Sequence, residues 1–471
     1  MQLIVTIYEE TFAAALEAIR GLGPGCAGIE LRAERFGAID LPALRRSTTL
    51  PVILTYRGMN VDELTIAAAL DAGIELVDVE YHQQLDREVL GRYRQRLILS
   101  HHDYERVPDE LETLVEAMLA FRCAHTKLAA TPADFAGNQR LLALLRREPG
   151  SDSAMTVIGM GERGLYARVA APFFGSELMF VARTSATNAA PGQLTFEHAR
   201  QLFGVPPLPP DPALFAIAGD PSGHSLSPPI HNRLFRERGV PAAYTYASFA
   251  TLEEVAAPLG AGASFAPLGL SITAPFKEVA FAFALRHGAE VGEHAARCRA
   301  VNTLVKIGGR LIADNTDVDG FAALLAQVCG RDRKSVAILG AGGTARAALA
   351  AAWDAGMHVT VYNRTLRRAE ELVGALGGLA EPLDAADRFD GEVVIDTTSA
   401  DVDPGIPLYA GSVLIRAAYG KPSALERRAR EAGAQLLDGL DLLQAQAVRQ
   451  NALFVEAVTA RDHRTPLEDP R

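Results

Sequence analysis

Gly204-Val205-Pro206-Pro207-Leu208-Pro209-Pro210-Asp211-Pro212 decides how the rest of the chain is read. Its five prolines each fix φ and carry no N–H, so the stretch cannot continue a helix or lie inside a sheet. It reads as a stiff, extended spacer. Each side of it has its own alternation of strand and helix signals and its own lysine-centred polar cluster. Two catalysts joined head to tail is the expected organisation, with a first module over 1–204, a linker over 205–213 and a second module from 214.

Before the spacer, short apolar, β-branched runs recur at 3–7, 28–32, 51–57, 74–80, 97–101, 126–130, 156–160 and 178–182, with Ala-, Leu-, Glu- and Arg-rich helical patterns in most gaps. Eight such repeats point to a small closed (β/α)8 barrel, a fold that keeps its chemistry at the C-terminal ends of its strands. Charged residues fall there: Glu30 and Arg32, Arg57, Asp78 and Glu80, and His101 and His102, while Lys127 lies inside the sixth run. One charged strand end is ordinarily just solvated; so many at a single mouth favour a functional set.

A lysine inside an apolar strand is costly unless it is paired or used. Neighbouring arginine charge and partial burial would lower its pKa and supply the free amine that attacks a ketone to form an imine. The imine acidifies the adjacent C–H, and a nearby histidine can take that proton and later protonate a departing hydroxyl. An arginine such as Arg168 would hold a substrate carboxylate.

The series Glu30-Leu31-Arg32-Ala33-Glu34, Thr55-Tyr56-Arg57, Asp78-Val79-Glu80, Ser100-His101-His102-Asp103-Tyr104, Thr126-Lys127-Leu128-Ala129, Arg168 and Ala190-Pro191-Gly192-Gln193 resembles type I 3-dehydroquinate dehydratase across nearly the whole first module. The resemblance implies Lys127 as imine former and His102, rather than His101, as proton shuttle. It also implies Arg168 and Gln193 at the substrate carboxylate, with Glu30, Arg32 and Arg57 around the hydroxyls. Ala189 stands where that family carries serine.

After the spacer, a strand over 215–220 leads into Ser225-Leu226-Ser227-Pro228, which reads as a helix start with Ser227 at the N-cap and Pro228 at the first helical position. Free N–H groups there, with the Ser225 and Ser227 hydroxyls, would cradle a carboxylate, although a serine that merely caps reads the same. Ser271-Ile272-Thr273-Ala274-Pro275-Phe276-Lys277, Val301-Asn302-Thr303 and Asp314-Asn315-Thr316-Asp317 add a lysine and an aspartate able to pass a proton, or to form a plain ion pair. Val336-Ala337-Ile338-Leu339-Gly340-Ala341-Gly342-Gly343-Thr344-Ala345 is the G-x-G-x-x-A form of the dinucleotide fingerprint, a strand entering a glycine turn and leaving as an Ala-rich helix. The next strand, over 358–362, ends at Asn363-Arg364-Thr365 without an acidic residue for a free ribose hydroxyl. Arg364 favours NADP(H) over NAD. A later strand over 392–396 runs into Thr397-Thr398-Ser399 on the cofactor side, and a helical pattern over 440–458 is expected to fold back on the substrate half.

These motifs, with Tyr419, Gly439 and Gln446, resemble shikimate dehydrogenase over the whole second module. The resemblance implies a substrate domain over 214–315, a Rossmann NADP-binding domain over 316–439 and a returning helical segment over 440–471. Ser225 and Ser227 would bind the substrate carboxylate, and Thr273, Asn302, Tyr419 and Gln446 the ring hydroxyls, while Lys277 and Asp317 carry the proton. Gly340, Ala341, Gly342, Gly343, Asn363, Arg364, Thr365, Thr398, Ser399 and Gly439 would line the cofactor. Ser271, Val318, Leu442 and Ala417 depart from the family's usual residues.

The apolar fraction of 49% and charged fraction of 22% are those of a globular protein. Forty-six basic against 57 acidic residues, net −11 with no basic stripe, argue against a nucleic-acid partner. Four widely spaced cysteines suggest neither a metal site nor a disulfide framework and fit a reducing cytosol. No leader or membrane-spanning run is read. The expected activity is a bifunctional one, converting 3-dehydroquinate to 3-dehydroshikimate and then to shikimate. Two rivals stand beside it: a catabolic NAD-dependent quinate dehydrogenase fused to a dehydratase, and a sensor that binds the intermediates without turnover. A sensor should have lost Lys127, His102, Lys277 or Asp317, and all four are present. Oligomeric state is not fixed by sequence.

Overall fold

The computed structural model describes all residues except 60, 82–86, 147–153, 205–210, 262–264, 329–334, 399, 421 and 463–471. The prolines from Pro206 to Pro210 and the cofactor-side Ser399 therefore lie outside the described residues. The chain forms two compact units, Met1–Ala216 with Pro221–Pro267, and Ile217–Asp220 with Leu268–Arg471.

In the first unit, eight parallel strands follow one another around a barrel: β1 (Gln2–Ile7), β2 (Gly28–Arg32), β3 (Val52–Thr55), β4 (Leu76–Glu80), β5 (Leu97–Asp103), β6 (His125–Ala130), β7 (Ala154–Gly159) and β8 (Leu178–Ala182). β1 lies between β2 and β8 in parallel register. Runs such as Leu178–Ala182 are buried at every position, as strands enclosed on both faces require. The β7–β8 closure is made partly by side chains. Glu177 N donates to Met155 O (3.0 Å), Leu178 N to Thr156 Oγ1 (3.2 Å) and Val157 N to Ser176 Oγ (3.1 Å). Ile4, Ile53, Ile98, Leu178 and Phe180 belong to one buried apolar cluster of these strands. Arg57 lies beyond β3, not within it as the apolar run suggested, because its N–H turns to Glu34 Oε2 (3.3 Å) instead of the ladder.

Several helices start where a short polar side chain accepts a free N–H, at Thr11, Asp40, Asp62, Asp134 and Thr195. The helix Leu165–Ala170 is buried along its whole length against β7 and against β10 (Ala242–Ser248), which follows β9 (Ala213–Gly219). Tyr166, fully buried, packs edge-on to Phe135 and donates its hydroxyl to Phe265 O at 2.7 Å.

In the second unit, β11 (Gly269–Ile272) pairs antiparallel with β13 (Thr303–Ile307), which pairs antiparallel with β14 (Arg310–Asp314); β12 (Glu290–Val291) runs parallel to β14. A separate parallel sheet has the order β17 (Leu379–Pro382), β16 (His358–Asn363), β15 (Ser335–Leu339), β18 (Val393–Asp396), β19 (Val413–Arg416) and β20 (Gln435–Leu437). This is the doubly wound order whose switch point lies beside its first strand, β15. Small residues of the helix Gly343–Asp354, Ala347, Ala348 and Ala351 among them, let it pack closely in the core under this sheet. The helix Gly439–Asp462 packs on the helix Asp317–Val328 and on β13.

Tyr166→Phe leaves the Phe265 carbonyl without its buried donor. It should destabilise the first unit by about 1–3 kcal/mol, read by circular dichroism as a lower urea midpoint with steady-state rates unchanged; an unshifted midpoint would count against that bond.

Candidate active sites

The barrel strands bring Glu30, Arg32, Arg57, His102, Lys127, Arg168 and Gln193 onto one cavity, together with Phe180 and Ala189. Lys127 is 3% exposed. Its ammonium donates to Asp78 Oδ2 at 2.8 Å, lies 3.7 Å from Glu30 Oε1 and sits 3.8 Å over the Phe180 ring. The groups nearest the amine are therefore carboxylates, whereas the sequence suggested arginines. A buried cation demands counter-charge, and the arginines are themselves met by acids: Arg57 pairs with Glu80 and lies 3.6 Å from Asp78, and Arg32 is 2.5 Å from Glu34. Burial alone would raise the pKa of Glu30 and Asp78. That single largest effect is outweighed only jointly, by Lys127 and Arg32 with the Thr6 hydroxyl at Glu30 and by Lys127 and Arg57 with the Ser100 hydroxyl at Asp78, and both carboxyls are held below their ordinary range.

His102 is positioned by Glu80, whose Oε1 accepts from the His102 backbone N–H (2.8 Å) and lies 3.2 Å from Nδ1. A proton on Nδ1 facing Glu80 leaves Nε2 as the basic nitrogen. Burial, then the charges of Arg57, Lys127 and Arg32, push its pKa well below 6.5, so the ring is neutral. Arg168, on the helix Leu165–Ala170, donates to Gly159 O (2.8 Å) and Pro191 O (3.3 Å). It pairs with no carboxylate among the described residues, and burial lowers its pKa to about 10. A buried guanidinium without a counter-ion is an anion site. Gln193 Nε2 donates to Thr6 Oγ1 (3.0 Å), and its Oε1 accepts from Ala189 N (3.0 Å). Asp78 and Glu80 were visible at strand ends but had no role assigned; their side chains meet Lys127 and His102 only once neighbouring strands pair.

In the second unit, Lys277 opens the helix Lys277–Arg286, and its ammonium donates to Asp317 Oδ2 (2.5 Å) and Thr344 Oγ1 (3.0 Å). Thr344 follows the glycine turn, so the lysine lies beside it. Asn302 Nδ2 donates to Asp317 Oδ1 (2.9 Å) and Thr316 Oγ1 (3.0 Å), and Thr316 Oγ1 donates to Gln446 Oε1 (2.9 Å). Thr316, Thr344 and Gln450 had not been singled out. Gln450 lies one helical turn past Gln446 and bonds Thr303 Oγ1 (2.7 Å) and Ser271 Oγ (2.5 Å). Thr273 N donates to Ala218 O (2.9 Å); Tyr419 is half-buried past β19, and Gly439 opens the last helix.

Ser225 and Ser227 belong to the first unit and are both buried. The helix runs Ser227–Glu237 with Leu226, not Ser227, in the cap position. Ser225 Oγ accepts the Ser227 N–H (3.2 Å) and so takes over a cap's work from two residues ahead.

Residues at the nucleotide turn fit a dinucleotide. Gly340 has φ +105°, and a Cβ there would lie 2.6 Å from Thr397 Oγ1; around Gly342 the space is open, and the helix Gly343–Asp354 begins with no side-chain cap. Its first N–H groups are free for phosphate. Asn363 closes β16 with Nδ2 on Thr365 O (2.9 Å), and the exposed Arg364 has no ion-pair partner among the described residues. Thr398 donates N and Oγ1 to Asp396 Oδ1 (2.9 and 2.7 Å).

A model of the type I 3-dehydroquinase family matches residues 3–206, and a model of the shikimate dehydrogenase substrate binding domain matches residues 217–304. The chain is 28% identical over 463 residues to a bifunctional 3-dehydroquinate dehydratase/shikimate dehydrogenase, chloroplastic, of Arabidopsis thaliana, covering 88% of this chain and 74% of that one. It is 28% identical over 441 residues to the shikimate biosynthesis protein AroDE of Chlamydia pneumoniae, covering 90% and 89%. It is 38% identical over 246 residues to a shikimate dehydrogenase (NADP(+)) of Hyphomonas neptunium, covering 50% of this chain and 88% of that one. The chain thus belongs to the type I 3-dehydroquinase family through its first half and to the shikimate dehydrogenase family through its second.

Proposed function

We propose that the chain carries out two consecutive reactions, the dehydration of 3-dehydroquinate to 3-dehydroshikimate and the NADPH-dependent reduction of that ketone to shikimate. The first reaction belongs to residues 1–204 and the second to 214–471, with substrate binding over 214–315, nucleotide binding over 316–439 and the returning helix from 440. One observation carries the reading: a buried lysine amine, a neutral histidine and a guanidinium with no carboxylate partner among the described residues share one cavity.

In the dehydration, Arg168 and Gln193 hold the substrate carboxylate, while Glu30, Arg32 and Arg57 orient its hydroxyls. Asp78 Oδ2 is the base nearest the Lys127 ammonium, whose proton must leave before attack. The amine then adds to the ketone and water is lost as the imine forms. His102 Nε2 takes the proton from the adjacent carbon and returns it to the departing hydroxyl, which leaves as water; hydrolysis of the imine frees Lys127. In the reduction, NADPH supplies the hydride. Lys277, held by Asp317 and Thr344, gives the proton to the forming hydroxyl. Ser225 and Ser227 take the substrate carboxylate, and Thr273, Asn302, Tyr419 and Gln446 its hydroxyls. Arg364, with no ion-pair partner among the described residues, supports NADP over NAD. The free thiols of Cys26, Cys123 and Cys298 support a reducing, cytoplasmic setting.

Borohydride added with 3-dehydroquinate should leave a mass adduct on Lys127, and Lys127→Ala should lose both adduct and dehydratase activity while keeping the dehydrogenase rate; an adduct elsewhere would sink the imine assignment. Since His102 must be neutral to act as base and its pKa lies well below 6.5, the acid limb of dehydratase kcat/KM should fall below that pH. A limb at or above 6.5 would rule out the buried, charge-surrounded base. Lys277→Ala should lower dehydrogenase kcat by about a hundredfold or more with shikimate KM within roughly threefold. A pure KM effect would make Lys277 a binding residue only.

A further inference from the structure

The short loop between β7 and the helix Leu165–Ala170 reaches away from the cavity it borders. Gly161 N donates to Pro191 O (3.1 Å), beside the segment that carries Gln193. The next residue, Glu162, points elsewhere: its Oε1 accepts from Gly223 N (2.7 Å) and from Ser248 Oγ (2.6 Å). A Cβ on residue 223 would lie 2.7 Å from that oxygen and 2.6 Å from Leu165 Cδ1, so a side chain there would push Glu162 and Leu165 aside.

Counting hydrogens fixes the direction of the chain of bonds. Ser248 gives its one hydroxyl proton to Glu162 and must accept both the Ser222 N–H (2.8 Å) and the Ser222 hydroxyl (2.6 Å). Ser222 O accepts from Ser225 N (2.9 Å), and Ser225 Oγ from Ser227 N. A second brace comes from the barrel helix Phe196–Phe203: His198 Nε2 lies 2.6 Å from the Tyr246 hydroxyl, which donates to Ser225 O (3.3 Å). All these residues lie within the first unit.

We propose that Glu162, a residue of the dehydratase barrel, is a positioning residue for the dehydrogenase: it holds the 222–227 loop in the form in which Ser225 and Ser227 receive the substrate carboxylate. The proposal rests on that assignment of the two serines. A loop ordered before binding spares the substrate the entropy of ordering it. A single Glu162 oxygen accepts both bonds, so an amide oxygen in its place can take the same two donors.

The test is steady-state kinetics of both reactions on the full chain. Glu162→Ala should raise shikimate KM about fivefold or more, with dehydrogenase kcat, KM for NADP+ and dehydratase kcat/KM each within about twofold of the parent. Glu162→Gln keeps one carbonyl oxygen in place and should restore shikimate KM to within about twofold. Ser225→Ala should raise the same KM. An unchanged KM in Glu162→Ala beside a raised one in Ser225→Ala overturns the brace alone, as does a joint loss of both activities in Glu162→Ala, which would mark a structural role. An unchanged KM in Ser225→Ala overturns the carboxylate assignment and the proposal with it.

Discussion

An ammonium group inside a ring of parallel strands is tolerated only if counter-charge is buried with it, and the first half of this chain is arranged around that demand. Lys127 is matched by Asp78 and Glu30. Those acids are held ionised by the same lysine and by Arg57 and Arg32, and the arginines engage Glu80 and Glu34 in turn. Removing one member would strand the next. Among the described residues that line the cavity, Arg168 is the cation with no carboxylate partner. A balanced cluster beside an unbalanced guanidinium fixes the Lys127 amine in place and leaves Arg168 as the positive charge most open to an anion.

The second half solves a smaller version of the same problem. Lys277 and Asp317 form one pair, held by the neutral Asn302, which Thr316 links to Gln446 on one side and Thr303 links to Gln450 on the other. The Lys277–Asp317 pair is held by neutral partners, whereas the Lys127 ammonium is held by carboxylates. The two lysines thus sit in two kinds of electrostatic environment.

Much of the architecture could be read from residues alone, because strands buried on both faces announce themselves as apolar, β-branched runs; the runs over 28–32 and 178–182 match β2 and β8 residue for residue. The glycine turn at Gly340 was legible for a similar reason, since a backbone at φ +105° strongly favours glycine. What could not be read depends on pairing between distant strands. Asp78 appeared as one more strand-end acid, and only the β4–β5 and β5–β6 registers bring it to Lys127. The expectation of arginines beside Lys127 missed the nearer carboxylates for that reason: sequence lists the charges of a barrel mouth but not which of them already have partners. Gln450 left a fainter trace, one helical turn from Gln446. Glu162, in the exposed Gly161-Glu162-Arg163 loop, left none, since nothing local separates it from a solvated surface acid.

The join between β7 and β8 uses Thr156 and Ser176 where other strands use main-chain carbonyls. A carbonyl is the same whatever the residue, but a hydroxyl can be gained or lost by one substitution. The stiffness of the ring at that seam is therefore under the control of ordinary point mutation, so relatives could loosen or tighten the seam without altering a reacting group.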